Sequence, residues 1–215
     1  MKFEDGKFAI LFNGPKYCGK DTAVSGLMDF FQSKAEIFRF TVPVKDETHR
    51  RYGLNVPYDY FEDKSIKDKP MPEFGDLSPR QAYISVGNAL REEHGPNIVT
   101  EMLCDEIRKS SSSIILNPDC GGDNEAEGIA NLLGKSRVLV IRVFKEGHTY
   151  EGDCRDWVKS PHLNVVDITN VEGRSEEYVS RVVKIVKSFK NSLSTSSAKP
   201  NIYLNNSINS QVLAS

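Results

Sequence analysis

Short runs of consecutive apolar residues alternate along the chain with stretches whose apolar residues recur every three or four positions. This alternation predicts strands joined by crossover helices in a mainly parallel sheet, an α/β class. The run Phe8-Ala9-Ile10-Leu11-Phe12 is apolar throughout, as a strand covered on both faces must be. Beyond it, Val24, Leu27, Met28 and Phe31 put one apolar stripe on a helix. Ile37 to Val42, Ile114 to Leu116, Val138 to Phe144 and Val165 to Thr169 are the other predicted strands, so the expected sheet has about five. Helices are expected on both of its faces.

A mostly helical insertion, about 45–110, separates the second and third strands. In it, Ser78-Pro79-Arg80-Gln81 reads as a helix start: Ser78 caps, Pro79 suits the first helical position and Gln81 completes a capping box. That helix is predicted to run to about Glu93, and a second, from near Pro96, carries Ile98, Val99, Met102, Leu103 and Ile107. Tyr178, Val179, Val182, Val183 and Val186 mark a last amphipathic helix. From Asn191 to Ser215 the chain turns Ser- and Asn-rich with few apolar anchors, and a flexible tail is expected.

Composition narrows the class. A chain of 215 residues suits one domain, expected over 1–190, and 39% hydrophobic with 27% charged residues is a globular balance. A formal net charge of -2 carries no basic footprint for a nucleic-acid polymer. No apolar run approaches bilayer length, and the amino terminus, with Glu4 and Asp5, lacks a signal-peptide layout. No membrane association is expected, and the location read from this is cytoplasmic, the host cytoplasm if the protein is viral. Cys18, Cys104, Cys120 and Cys154 form no Cys-x-x-Cys pair and read as reduced thiols. His49, His94, His148 and His162 lack metal-ligand spacing and read as surface residues. Tyr58, Tyr60 and Phe61 read as core packing, with contact to a nucleobase as the alternative. A homodimer is compatible with the chain but is not specified by it.

The chemistry sits at Gly14-Pro15-Lys16-Tyr17-Cys18-Gly19-Lys20, which fits G-x-x-x-x-G-K between an apolar strand and an amphipathic helix. Two glycines let the backbone curl so that successive N–H groups and the helix's positive end face a polyphosphate, while Lys20 reaches its β and γ phosphates. Gly14, Lys16, Cys18, Gly19, Lys20, Asp21 and Thr22 are therefore the nominated ATP-binding residues. The usual loop has Ser or Thr after the lysine to ligate Mg²⁺, but here Asp21 stands there and Thr22 comes one position later. Asp21 or Thr22 is expected to meet the metal or its waters; a charge at the helix amino terminus is the other reading of Asp21.

Gly-Lys-Asp-Thr at 19–22, Phe40-Thr41-Val42-Pro43-Val44-Lys45, and Ser78-Pro79-Arg80-Gln81 with Gly87 and Arg91 together resemble the deoxynucleoside monophosphate kinases of bacteriophages. The resemblance runs from about Lys7 to Phe189. It continues through Asn124-Glu125-Ala126-Glu127, opening a helix after the third strand, and Asp167-Ile168-Thr169-Asn170, followed by an amphipathic helix. It implies a P-loop nucleoside-monophosphate-kinase-like fold, with ATP and Mg²⁺ at the glycine loop and a deoxynucleoside monophosphate under the helical insertion. By the resemblance, Lys45, Arg80 and Arg91 hold the acceptor phosphate, as guanidinium forks and ammonium groups suit a dianion. Asp119 occupies the family's acidic position, to hydrogen-bond the acceptor or position magnesium water, but Gly121 stands where the family has arginine. A turn acid is the alternative reading of Asp119.

The polar stretch of about 145–163 falls where the family has a lid, from which Lys145 and Arg155 are expected to meet the transferring phosphoryl group; Trp157 reads either as covering the nucleotide or as packing the lid against the body. Lys20, Arg91, Lys145 and Arg155 are then the catalytic candidates, acting by position and charge rather than as a general base. Two alternatives stay open. One is a kinase for another phosphorylated acceptor such as phosphomevalonate, since animal-type phosphomevalonate kinases also carry a Gly-Lys-Asp loop; the other is a nucleotide-binding sensor that has lost turnover.

Overall fold

The alternation within the first apolar run shows how the molecule is layered. Phe8, Ile10 and Phe12 point to one side of the sheet, against Leu27, Val182 and Val186, while Ala9 and Leu11 point to the other, against Leu103, Ile107 and Ile129. A strand with period-two side chains and no polar face has to lie between two layers of helices. The computed structural model describes residues 6–63, 65–153 and 155–195, and among these the strands are β1 (Phe8–Asn13), β2 (Ala35–Ile37), β3 (Ile114–Asn117), β4 (Val138–Phe144) and β5 (Asn164–Thr169). They form one sheet in the order β2-β3-β1-β4-β5, parallel at every pairing. With a glycine loop leaving the central strand, this is the P-loop nucleoside-monophosphate-kinase-like fold.

The helices are α1 (Lys20–Phe31), α2 (Thr41–Tyr52), α3 (Pro79–His94), α4 (Ile98–Lys109), α5 (Asp123–Leu133) and α6 (Ser175–Thr195). Helices α1 and α6 cover one face of the sheet and α2 to α5 the other. The predicted start of α3 is present atom for atom: Ser78 Oγ accepts from the Gln81 N–H, and Gln81 Oε1 accepts from the Ser78 N–H.

The strand predicted over Ile37 to Val42 is corrected. β2 ends at Ile37, and Thr41 already lies in α2. Phe38 and Phe40 alternate as strand residues would, but they are buried in the core beyond the end of the ladder. No local side chain caps α2; instead the Asp119 carboxylate, from the turn after β3, accepts from the N–H groups of Phe40 (3.0 Å) and Thr41 (3.3 Å) and from the Thr41 hydroxyl (3.1 Å). A cap supplied from 78 residues away leaves no mark in the local sequence. Asp119→Ala is therefore expected to cost about 1–2 kcal/mol of stability, as lost helix caps do, read as a lower urea midpoint. An unchanged midpoint would show that the cap contributes nothing.

The carboxyl-terminal boundary also moves. α6 continues through Thr195, because Leu193 packs on the core and the Ser192 and Ser194 hydroxyls donate back to the carbonyls of Phe189 and Lys190. The rest of the predicted tail, 196–215, lies outside the described residues. His49 is not a surface residue: it is 9% exposed, with Nε2 3.1 Å from the Tyr83 hydroxyl and its ring edge-on to Phe61. Phe61 itself is core, beside Phe74 and Ala82, whereas Tyr60 is exposed. Nothing is described of the Tyr58 side chain. Cys18, Cys104 and Cys120 are buried thiols without disulfides, and Cys154 lies outside the described residues.

Candidate functional site

The glycine loop is built by close approach. A Cβ on Gly14 would lie 2.7 Å from both Cys18 Sγ and the Val143 carbonyl oxygen, so no larger residue fits where the chain leaves β1. Gly19 has φ +105°, and a Cβ there would come within 2.3 Å of Asn170 Nδ2. Asn170 donates to the Cys18 carbonyl at 2.9 Å and the Tyr178 hydroxyl to the Gly19 carbonyl at 3.2 Å, so the β5–α6 connection clamps the loop from behind. Lys16 and Tyr17, the latter 76% exposed with φ +63°, form its outer tip. α1 has no side-chain cap, which leaves the first-turn N–H groups facing the loop.

Lys20 is buried, 8% exposed, rather than an exposed loop cation. Its ammonium crosses the loop to donate to the carbonyls of Gly14 (2.7 Å) and Pro15 (2.6 Å), and it lies 3.6 Å from Cys18 Sγ. Burial pulls the Lys20 pKa down and pushes that of the Cys18 thiol up, each toward its neutral form. An uncapped helix terminus with a desolvated ammonium aimed into the curl fits a polyphosphate. The donor set also fits Mg²⁺, though not a protein-made metal cage. No group of three or more His, Cys, Asp or Glu able to hold a metal ion exists among the described residues, and both Asp21 and Thr22 are exposed at the loop's end. Magnesium, which keeps waters and leans on substrate phosphates, needs only one such oxygen. Asp21 is paired with Arg39 at 2.8 Å.

Three nominated cations are linked through their charges. The charge of Arg155 acts on Lys20, and Arg155 and Arg91 both act on one carboxylate, Glu125. Arg155 lies across Gly121, its Cγ 2.9 Å from where a Cβ would be. It is held by Asp153 at 2.5 Å, and it keeps that carboxyl down at about 2. Arg91, on α3, donates to the Gly87 carbonyl of its own helix.

The other nominated cations sit in separate groups. Lys45 pairs with Glu62 and lies over the Tyr83 ring, and Arg80 pairs with Asp68, both pairs at 2.5 Å. The charges of Glu62 and of Tyr17, at the loop tip, also act on Arg80. Lys145 pairs with Glu172, beyond β5. Asp119 has both carboxylate oxygens engaged in capping α2. Lys16 borders a polar cavity of about 240 Å³ with His148, Thr149, Glu151 and Asp153.

Among the described residues, 145–163 forms a strap without helix, laid across the carboxyl ends of β1 and β3. Asn13, fully buried, ties it down. Its amide donates to the Cys120 carbonyl (2.9 Å), the Tyr150 hydroxyl (3.0 Å) and the Asp156 carbonyl (3.0 Å), and its oxygen accepts from the Val158 N–H (2.9 Å). Asp123 accepts from the Lys159 and Ser160 N–H groups, and Trp157 stacks on Phe144 with centroids 4.2 Å apart. Sequence reasoning assigned no role to Asn13, Glu125, Asn170 or Tyr178. One signal for Asn13 was available: a polar residue closing an apolar strand immediately before the first loop glycine.

No protein-family model matches the chain, and no curated protein matches it. Among solved structures, it is similar to the shikimate kinase of Acinetobacter baumannii in complex with shikimate, at 12% identity over 85% of this chain and 94% of that one, TM-score 0.42. A sugar kinase of a Janibacter species is similar at 10% identity over 86% and 95%, TM-score 0.42. The shikimate kinase of Aquifex aeolicus is similar at 18% identity over 86% and 98%, TM-score 0.35. Likenesses this distant add nothing to the strand order and loop geometry, which define the fold by themselves. No helix among the described residues is long and apolar enough to cross a membrane.

Proposed function

We propose that the protein transfers the γ-phosphoryl group of ATP to a deoxynucleoside monophosphate, giving ADP and the deoxynucleoside diphosphate. The observation that carries this reading is the glycine loop itself, crossed by the buried Lys20 ammonium at the uncapped start of α1, with the charge of Arg155 acting on Lys20 and those of Arg155 and Arg91 on Glu125. Positive charge supplied from separate elements beside a phosphate-binding loop suits two phosphates exchanging a phosphoryl group. The preference for a deoxynucleoside monophosphate comes from the resemblance in the loop, at Ser78 to Gln81 and at Arg91.

In this reading Lys20 leaves the Gly14 and Pro15 carbonyls for the β and γ phosphate oxygens, and the uncapped N–H groups of α1 take the α and β oxygens. Mg²⁺, met by Asp21 or Thr22, supplies charge neutralisation on the polyphosphate. Arg91 orients the acceptor phosphate, with Lys45 and Arg80 above the loop tip. Arg155 stabilises charge spread over the transferring group, while the strap excludes water. The protein contributes position and charge and needs no general base.

Arg91→Ala is expected to raise the KM for the monophosphate about tenfold or more, the cost of one lost charge-assisted contact, while the KM for ATP changes little. Equal losses for both substrates would remove Arg91 from the acceptor side. The reading as a whole is tested by ADP release from ATP and Mg²⁺ with each deoxynucleoside monophosphate, each ribonucleotide and phosphomevalonate. Acceptor-dependent turnover with a deoxynucleotide supports it; turnover with phosphomevalonate alone reassigns the acceptor; ATP binding without turnover replaces catalysis with sensing.

A further inference from the structure

Two consecutive peptide groups of the glycine loop are held in one orientation by side chains from the far end of the chain. The Cys18 carbonyl accepts from Asn170 Nδ2 at 2.9 Å, and the Gly19 carbonyl accepts from the Tyr178 hydroxyl at 3.2 Å and from the Ala23 N–H at 3.1 Å. Asn170 is itself fixed, because its backbone N–H donates to the Phe144 carbonyl, at the end of β4, at 2.8 Å. A trans peptide unit is planar, with its C=O and N–H pointing in opposite directions. Holding the Cys18 carbonyl against Asn170 therefore turns the Gly19 N–H away from that connection. Holding the Gly19 carbonyl along α1 likewise turns the Lys20 N–H out of the helix, toward the loop.

The loop does not take this shape by local preference. Tyr17 lies in the left-handed region at φ +63°, which L side chains disfavour. The Asn170 amide reaches past residue 19 only because that residue is glycine, since a Cβ there would lie 2.3 Å from Nδ2. We propose that Asn170 is a positioning residue for the polyphosphate: its amide holds the Cys18–Gly19 peptide so that the Gly19 N–H is aimed at a phosphate oxygen before ATP arrives, and the Tyr178 hydroxyl supports the next peptide in the same way. This inference rests on the reading of the glycine loop as an ATP site, and the acceptor plays no part in it. Donors fixed in advance need no reordering when the ligand binds, so freeing this peptide weakens polyphosphate binding without removing a group that touches the ligand.

The test measures binding of ATP and of inorganic tripolyphosphate, each with Mg²⁺ and without acceptor, to wild type, Asn170→Ala and Tyr178→Phe. Asn170→Ala is expected to weaken both ligands about tenfold, the scale of one hydrogen bond. Tyr178→Phe keeps the buried ring and leaves the Gly19 carbonyl its bond from Ala23, so it should weaken both by a smaller factor. In wild type the Gly19 amide proton should move downfield when tripolyphosphate binds, and move less in Asn170→Ala, a signature that lowered stability alone does not produce. Weaker ATP binding with tripolyphosphate unaffected would place Asn170 against the nucleoside and overturn the proposal. Equal affinities and an equal Gly19 shift in wild type and Asn170→Ala would overturn it too, with the ATP site left standing. Should Asn170→Ala not fold, Tyr178→Phe decides through the Lys20 amide, where an unchanged affinity and shift overturn the proposal. Binding of neither ligand by wild type would remove the ATP reading and the proposal with it.

Discussion

Lys20→Ala is expected to lower phosphoryl transfer about a thousandfold, the scale on which loss of one preorganised charge at a transition state is felt, while the protein stays folded. The ammonium is held at a cost, since burial draws its pKa down and its partners are two loop carbonyls rather than a carboxylate. A polyphosphate offsets that cost, so the interaction belongs to the ligand-bound state more than to the fold. Without the lysine, the Gly14 and Pro15 carbonyls each lose one donor, about 1–3 kcal/mol in all, reduced by the relief of burying a charge. The measurement is steady-state ADP release beside a urea unfolding curve. Turnover within threefold of wild type in a normally folded variant would remove Lys20 from the chemistry.

The second large effect is on the strap. Asn13→Ala deletes an amide that joins β1 to residues 120, 150, 156 and 158, and leaves the Val158 N–H and the Cys120 carbonyl without those partners inside the protein. Buried polar groups stranded in this way cost about 1–3 kcal/mol each, so a loss of about 3–4 kcal/mol is expected. For a domain of this size that lowers Tm by about 10 °C. Because the lost bonds hold one segment, amide exchange should quicken most over 145–163, and activity should fall through misplacement of Arg155. A uniform rise in exchange over the whole sheet, with the strap no faster than β1, would show that Asn13 supports the core instead.

The sheet was legible because its strands differ in the way that burial dictates. β1 and β4 are apolar on both faces, and only a central position in a parallel sheet accommodates that. The glycine loop was legible because backbone approach and phosphate binding both demand fixed residue types at fixed spacing, and α3 because its capping box is local. What could not be read depended on contacts distant in sequence. α2 starts where Asp119 caps it, α6 runs on where Leu193 finds the core, and His49 is buried because Tyr83 and Phe61 lie beside it. In the site, the sequence supplied the cations but not their grouping. The charges of Arg155 and Arg91 both act on Glu125, while Lys45 and Arg80 pair with Glu62 and Asp68, which no spacing along the chain encodes.

The central claim is phosphoryl transfer at the glycine loop, with Lys20, Arg155 and Arg91 supplying the positive charge. It is tested most directly by following the phosphorus-31 spectrum of ATP, Mg²⁺ and a deoxynucleoside monophosphate with the full chain. The account predicts that ADP and the deoxynucleoside diphosphate grow in equal amounts, without inorganic phosphate, and that neither forms with Lys20→Ala. Inorganic phosphate released at the same rate with or without the acceptor would contradict it.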